Sequence, residues 1–201
     1  MNQLLTQPPH HGIALSEKQI SQYLIEEFRK TDPNAIILTE VNIQQGTTRI
    51  DQLVLDQHIL SGIEIKSDLD NLSRLKRQIR QYLQVVDFLT IVGTPNNIIR
   101  ISSVLPANVG LLMVYRNLAR LQHIIIRPAS LNQQRCRLSL VQLLWKNEII
   151  DTLRALGHTG SMISNSRQQL WQRLANHCNS NELSQAVVRQ LRKRYYIRSQ
   201  V

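Results

Sequence analysis

Three acids and a lysine stand at spacings that can do chemistry: Glu40, Asp51, Glu64 and Lys66. In an antiparallel hairpin, directly opposed residues have a constant sum of numbers and share one face of the sheet. A two-residue turn at Gln45-Gly46 sets Glu40 opposite Asp51, and a second at Gln57-His58 sets Asp51 opposite Glu64. Three carboxylates then line up across three strands. Lys66, two residues past Glu64, shares their face with Arg49 opposite it, while Ile63 and Ile65 point the other way into a core. The register is demanding, because a slip of one residue scatters the row.

Adjacent carboxylates repel, and burying them is costly unless positive charge sits among them. A divalent cation meets that need: magnesium takes one or two carboxylates and completes its shell with water and phosphate oxygens. Bound there, it would polarise a phosphodiester and acidify a water. Lys66 would position that water or stabilise charge developing on the phosphate. Alternating acids and bases also suit an exposed sheet face held by cross-strand ion pairs, and spacing alone leaves both readings open.

Either reading needs strands to carry the row. Ser16 is placed to cap a helix running through Glu17, Ile20, Tyr23, Leu24 and Phe28, which Asp32-Pro33-Asn34 ends. The period then changes. Ile36-Ile37-Leu38 leads into Val41 and Ile43, residues 49–55 form a second strand and residues 59–66 a third, making an antiparallel meander. Ser67-Asp68-Leu69-Asp70 has a capping-box pattern, and the helix after it puts Leu72, Leu75, Ile79 and Leu83 on one face. Residues 88–92, 109–115 and 123–127 read as short strands, and residues 138–194 as helical with breaks near 157–160 and 179–181. The fold class is α/β.

Ile50-Asp51 followed by Gly62-Ile63-Glu64-Ile65-Lys66-Ser67 resembles the motif of the PD-(D/E)XK nucleases. Gln78 and Tyr82 add Gln-x-x-x-Tyr on the following helix, as in RecB-type and CRISPR-associated exonucleases of that superfamily; taken alone, the pair also suits an ordinary helix surface. The longer string of Glu64, Lys66-Ser67, Asp70, Arg74-Leu75, Gln78, Tyr82 and Asp87 is similar to a small bacterial and phage family of hypothetical proteins of the same class. The resemblance is specific over residues 40–92. It implies a restriction-endonuclease-like core of helix, antiparallel meander, helix and further strands in a mixed sheet, with a C-terminal helical extension. It further implies a Mg²⁺- or Mn²⁺-dependent deoxyribonuclease. Asp51 and Glu64 would be metal ligands, the carbonyl of Ile65 a further ligand, Lys66 the catalytic lysine and Glu40 an outer acid. Gln78 and Tyr82 would position substrate or metal-bound water. Glu27 would be the helix-borne acid some members use, or else a surface residue. Because the superfamily includes inactive members, fold alone does not fix activity. A catalytically silent nucleic-acid-binding module and an adaptor holding a protein complex on DNA are the alternatives.

The bulk properties agree with such a partner. The 201 residues carry a net charge of +10, which favours nucleic acid or an acidic membrane surface. Residues 131–201 hold eleven bases against three acids, so most of the surplus lies there. The division expected is a loose arm over residues 1–15, a nuclease-like core over 16–130 and a basic helical region over 131–201. In the last, Ile149, Leu153, Leu156-Gly157, Gly160, Arg167, Leu170, Arg173 and Leu174 loosely resemble a SAP-type DNA-binding hairpin; a helical cap on the core is the alternative. Phosphate contacts are expected from Arg49, Arg74, Arg77, Arg167 and Arg173, and residues 189–198 read as a basic exposed end. No apolar run approaches the ~20 residues of a membrane span, and the start lacks a signal core. A soluble cytoplasmic protein is expected, with DNA as partner, other repair, phage or defence proteins beside it and no membrane; a homodimer stays open. Cys136 and Cys178 form no metal-type pair, and the six histidines are scattered rather than grouped as zinc ligands.

Overall fold

Helix α1 (Glu17–Thr31) opens on a reciprocal cap. The Gln19 N–H donates to the Ser16 hydroxyl at 3.3 Å, and the Ser16 N–H donates to the Gln19 side chain at 3.0 Å. The helix stops at Asp32, ahead of Pro33, and buries Ile20 and Leu24. In the computed structural model, which describes residues 14–199, six strands follow in one mixed sheet. They lie in chain order: β1 (Ile36–Ile43), β2 (Thr48–Asp56), β3 (Ile59–Lys66), β4 (Phe88–Gly93), β5 (Gly110–Asn117) and β6 (Arg120–Arg127). The first three make the expected antiparallel meander. β3, β4 and β5 run parallel, joined by α2 (Leu75–Tyr82) and the short α3 (Ile98–Ser102), and β6 returns antiparallel. Helices α4 (Arg137–Val141), α5 (Lys146–Ala155), α6 (Arg167–His177) and α7 (Ser180–Ser199) complete the α/β fold.

Both faces of the sheet's centre are covered, which suits parallel strands, while the edge strand β6 is largely exposed. On one face Ile63, Ile65, Val92 and Val114 pack with Leu15, Ile20 and Leu24. On the other, Ile50, Leu53 and Ile91 join Leu75, Ile79 and Tyr82 of α2 in a cluster that continues into Leu140, Leu153, Leu170, Leu174, Val187 and Leu191. The C-terminal helices are thus packed on the sheet. Among the described residues, no helix is long and apolar enough to cross a membrane.

Several local expectations are corrected. The first hairpin turn is longer than two residues: β1 and β2 pair out to Ile43↔Thr48, and residues 44–47 make a tight loop with Gln44, Gln45 and Gly46 at left-handed φ of 49, 61 and 86°. Lengthening the loop by one residue at each end keeps the sum of opposed numbers, so the register survives. Ser67 to Asp70 closes a turn instead of opening a helix. The Ser67 N–H and hydroxyl both donate to Asp70 Oδ2 at 2.6 Å. A 3-10 turn at Leu72–Arg74, capped by Asn71, comes before α2 begins at Leu75. The expected basic exposed end is exposed only in part: it belongs to α7, where Leu191 is buried and Arg192 reaches the Leu55 carbonyl at 3.4 Å, while Arg189, Lys193, Tyr196 and Ile197 meet solvent. The expected arm falls mostly on residues outside the described ones. Its last member, Leu15, is buried and donates its N–H to Asp68 Oδ2 at 3.1 Å.

Candidate active site

The β2–β3 ladder pairs as far as Gln52↔Ile63. The next residues by the same sum are Asp51 and Glu64, and there a carboxylate replaces the ladder: Asp51 Oδ2 accepts from the Ile65 N–H at 2.6 Å. Glu64 is 1% exposed and Lys66 7%. Glu64 Oε1 accepts from Lys66 Nζ at 2.6 Å and from Gln78 Nε2 at 2.8 Å, while Glu64 Oε2 is buried with no partner. Leaving a buried acceptor unsatisfied costs about 1–3 kcal/mol, more when charged. Burial pushes the Glu64 carboxyl above its usual range despite the Lys66 charge. Burial and then the Glu64 charge push Asp51 up to about 8, against the pull of the Ile65 N–H.

Helix α2 supplies the braces. Gln78 orients Glu64, and its amide also lies 3.2 Å from the Tyr82 hydroxyl. Tyr82 is fully buried and donates to the Arg49 carbonyl at 2.7 Å, fixing β2 beneath the cleft. Gln78 also lines the cleft, whereas Tyr82 does not. A third brace was not read from the sequence. Asn97 Nδ2 donates to the carbonyls of Lys66 and Ser67, each at 2.9 Å, holding the end of β3. Its approach depends on Gly93, the partner of Lys66 across the parallel ladder, since a Cβ there would lie 2.8 Å from Asn97 Oδ1.

Glu40 sits opposite Asp51 by the β1–β2 sum but has φ of 55° and drops out of the ladder between Thr39↔Gln52 and Val41↔Ile50. Its carboxylate meets Arg49 Nε at 2.5 Å, so Arg49 is engaged by Glu40 instead of facing Lys66. Carboxylate oxygens of Glu40, Asp51 and Glu17 lie within 4.8 Å of one another. The acid that α1 brings to this cluster is Glu17. Glu27, a candidate by sequence, pairs with Lys30 at 2.5 Å and lines an apolar pocket with Leu24 and Phe28. No spacing marks Glu17. Its place follows from the Leu15–Asp68 bond, which pins the start of α1 beside the end of β3.

With this geometry in hand, relatives can be weighed. The family model of bacteriophage P4 protein cII matches residues 13–201. The chain belongs to the phage P4 cII family. It is 26% identical over 187 residues to "Protein cII" of Enterobacteria phage P4, covering 92% of this chain and 70% of that protein. No solved structure matches it. In this cII-family chain Glu17, Asp51, Glu64 and Lys66 open into a polar cleft of about 480 Å³, with Arg49, Arg74 and Arg77 also in its lining. The backbone of Ile65 reaches the cleft while its side chain is buried on the opposite face. Arg167 lies elsewhere, in a larger groove past Glu40. Arg173 Nη2 is 2.9 Å from His158 Nδ1 and does not line the cleft.

Proposed function

We propose that this chain is a metal-dependent nuclease with a PD-(D/E)XK-type site on a restriction-endonuclease-like core, hydrolysing phosphodiester bonds of DNA. The observation that carries the reading is the under-satisfied Glu64: one oxygen held by Lys66 and Gln78, the other buried and unpaired beside a second acid, Asp51, whose carboxyl is pushed up to about 8. An acid buried for structure alone has its lone pairs filled. The donors are all oxygens and they repel, which fits a hard divalent cation better than any soft metal. Asp51 and Glu64 would hold Mg²⁺ or Mn²⁺, with Glu17 or Glu40 as an outer acid. When bound, the ion supplies Lewis acidity toward the phosphate and acidifies a water.

The chain's own groups do the rest. Lys66, fixed through Glu64 Oε1, presents its ammonium where negative charge grows on the reacting phosphate. Gln78 keeps Glu64 from turning away. Arg74 and Arg77, exposed along the cleft, hold flanking phosphates. The test is to incubate purified protein with circular and linear, single- and double-stranded DNA in Mg²⁺, Mn²⁺ or EDTA. Metal-dependent cleavage that disappears in Lys66→Ala is the expected result.

One observation favours a second reading, the silent binding module. The Lys66–Glu64 and Arg49–Glu40 pairs already neutralise much of the cleft's charge. Absence of cleavage of every nucleic acid with every divalent metal, alongside retained binding, selects that module.

A further inference from the structure

Three consecutive isoleucines stand in water on one strand. In β6, Ile124, Ile125 and Ile126 are 47, 62 and 48% exposed. The strand ends the sheet, and among the described residues its backbone pairs with β5 alone. Every second residue therefore turns its N–H and C=O outward, away from β5. Such an edge is a template for another strand, and proteins guard it with lysine, proline or a covering element. The centre of β6, residues 122–126, is exposed and holds neither lysine nor proline. The irregularity between Leu111 and Leu112 of β5 lies at the end of the ladder and leaves residues 120–125 in unbroken register. On the α1 side of this edge, an apolar pocket of about 430 Å³ lies among Leu24, Phe28, Ile63, Leu112 and Ile125.

We propose that β6 accepts an extended segment of a partner protein as a seventh strand, one with apolar residues alternating along it and acids at its ends. Charge selects this occupant. Residues 88–147 contain seven bases and no acid. Arg120 at the start of the strand, Arg116 beside it on β5 and Arg127 at its end make no ion pair among the described residues. Arg127 donates to the carbonyls of Val109 and Pro106, each at 2.9 Å, which orient its charge without neutralising it. The acid in the pocket lining, Glu27, is taken by Lys30. A second copy fits less well. Pairing β6 along its full length with itself sets Arg120 of one copy against Arg127 of the other at both ends, and opposed like charges destabilise a ladder. A nucleic-acid strand would answer the arginines but leave the isoleucines in water. In strand addition the backbone bonds supply affinity, and pockets for alternate side chains supply specificity. The pocket beside Ile125 is the place for one such side chain. It shares no lining residue with the acid cleft, so a partner held here leaves that cleft to its own ligand. The inference stands whether or not the chain is a nuclease.

The probe is a labelled synthetic peptide of about eight residues, matched to the length of β6 at ~3.4 Å per residue. Valine and threonine alternate along it, with glutamate at each end. One comparison peptide has lysine at the ends. Two others carry N-methyl groups on every second amide, one in each phase. Anisotropy with the full chain reads affinity, and hydrogen exchange of the β6 amides reads location. The acid-ended peptide should bind, slow exchange at the outward amides of β6, and bind more tightly than the lysine-ended one. One methylated phase should lose binding and the other keep it, as pairing along a single edge requires. Ile125→Lys should weaken binding about fivefold, the worth of one cross-strand apolar pair. Arg120→Glu should weaken it about threefold and narrow the preference for glutamate over lysine. If Ile125→Lys does not fold, Arg120→Glu and the methylated peptides still decide. Failure of the acid-ended peptide to bind, equal binding of the lysine-ended or of both methylated peptides, or protection away from β6 overturns the proposal. A concentration-dependent dimer in light scattering that Ile125→Lys dissolves gives the edge to a second copy and overturns it. An oligonucleotide that protects the same amides and displaces the peptide gives the edge to nucleic acid, with the same consequence.

Discussion

Two buried acids lie at opposite ends of neighbouring parallel strands, and they are treated differently. Asp87, just before β4, is fully provided for: one oxygen accepts from the Leu60 N–H at 2.8 Å and the other meets Arg135 at 2.8 Å. Arg135 in turn donates to Ser184 of α7, so this acid ties the sheet to the C-terminal helices. Glu64, near the other end of β3, has one oxygen doubly bonded and one bare, with Asp51 beside it. Burial is similar, 6% against 1% exposed, so burial does not distinguish them. Satisfaction does. A complete shell of donors belongs to a joint, whereas an incomplete one beside a polar cleft, at the carboxyl end of a parallel strand, leaves room for a ligand.

The sharpest way to break this contrast is to remove one group from each end. Lys66→Ala should lower metal-dependent cleavage by about a hundredfold or more, corresponding to ~3 kcal/mol of lost transition-state stabilisation, with folding and DNA binding largely kept. A single-turnover assay against labelled DNA reads it, and wild-type cleavage would make the motif a mere charge pair. Asp87→Ala should do the reverse. It strands Arg135 and the Leu60 N–H, costing about 3 kcal/mol of stability, while the folded fraction cleaves at the wild-type rate. Chemical denaturation with activity normalised to folded protein checks this; a catalytic defect without destabilisation would erase the distinction.

The open end also predicts a dependence on pH. The folded-state pKa of Asp51 stands at about 8 against an ordinary 3.8. A carboxyl that holds its proton more tightly when folded contributes its full stability below the unfolded value and loses it as pH rises through the folded one. Metal-free protein should therefore weaken between about pH 4 and 8. Asp51→Asn keeps an acceptor for the Ile65 N–H but removes the charge. In chelator its melting temperature should gain on wild type by roughly 4–8 °C from pH 5 to pH 8, equivalent to ~2 kcal/mol after allowing for solvent screening. Parallel melting curves would show an ordinary surface carboxylate.

How much of this was legible depends on the distance over which each feature is encoded. The row of acids was readable because strand register is local arithmetic: opposed numbers sum to one constant, and the pairs Ile43↔Thr48 and Asp56↔Ile59 bear out the values used. The capping residue of α1 was readable for the same reason. Ser67 to Asp70 misled because a short acid three residues after a serine closes a turn as readily as it opens a helix. Glu17 and Asn97 were invisible, since each reaches the site only through long-range bonds, Leu15 to Asp68 in one case and Asn97 to the carbonyls of Lys66 and Ser67 in the other. The larger groove past Glu40 was hidden too. Its walls come from β1 and from helices a hundred residues later, and only their packing brings these together.

The smallest effect expected is at Gln78, and it tests whether the open shell is positioned or merely present. Gln78 Nε2 donates to the Glu64 oxygen that also holds Lys66. Without it, Glu64 keeps its lysine but gains freedom to rotate, and both the carboxylate and the ammonium spend less time in place. Gln78→Ala should therefore lower kcat about tenfold, ~1.4 kcal/mol, with KM for DNA nearly unchanged, because the phosphate-binding arginines are untouched. Gln78→Glu is the harder comparison. It fits the same space but cannot donate to Glu64, and it adds a like charge, so its defect should exceed that of alanine and ease as pH falls and the added carboxyl protonates. If Gln78→Glu instead matches wild type at every pH, the hydrogen bond to Glu64 has no part in the chemistry, and Lys66 alone must hold the acid in place.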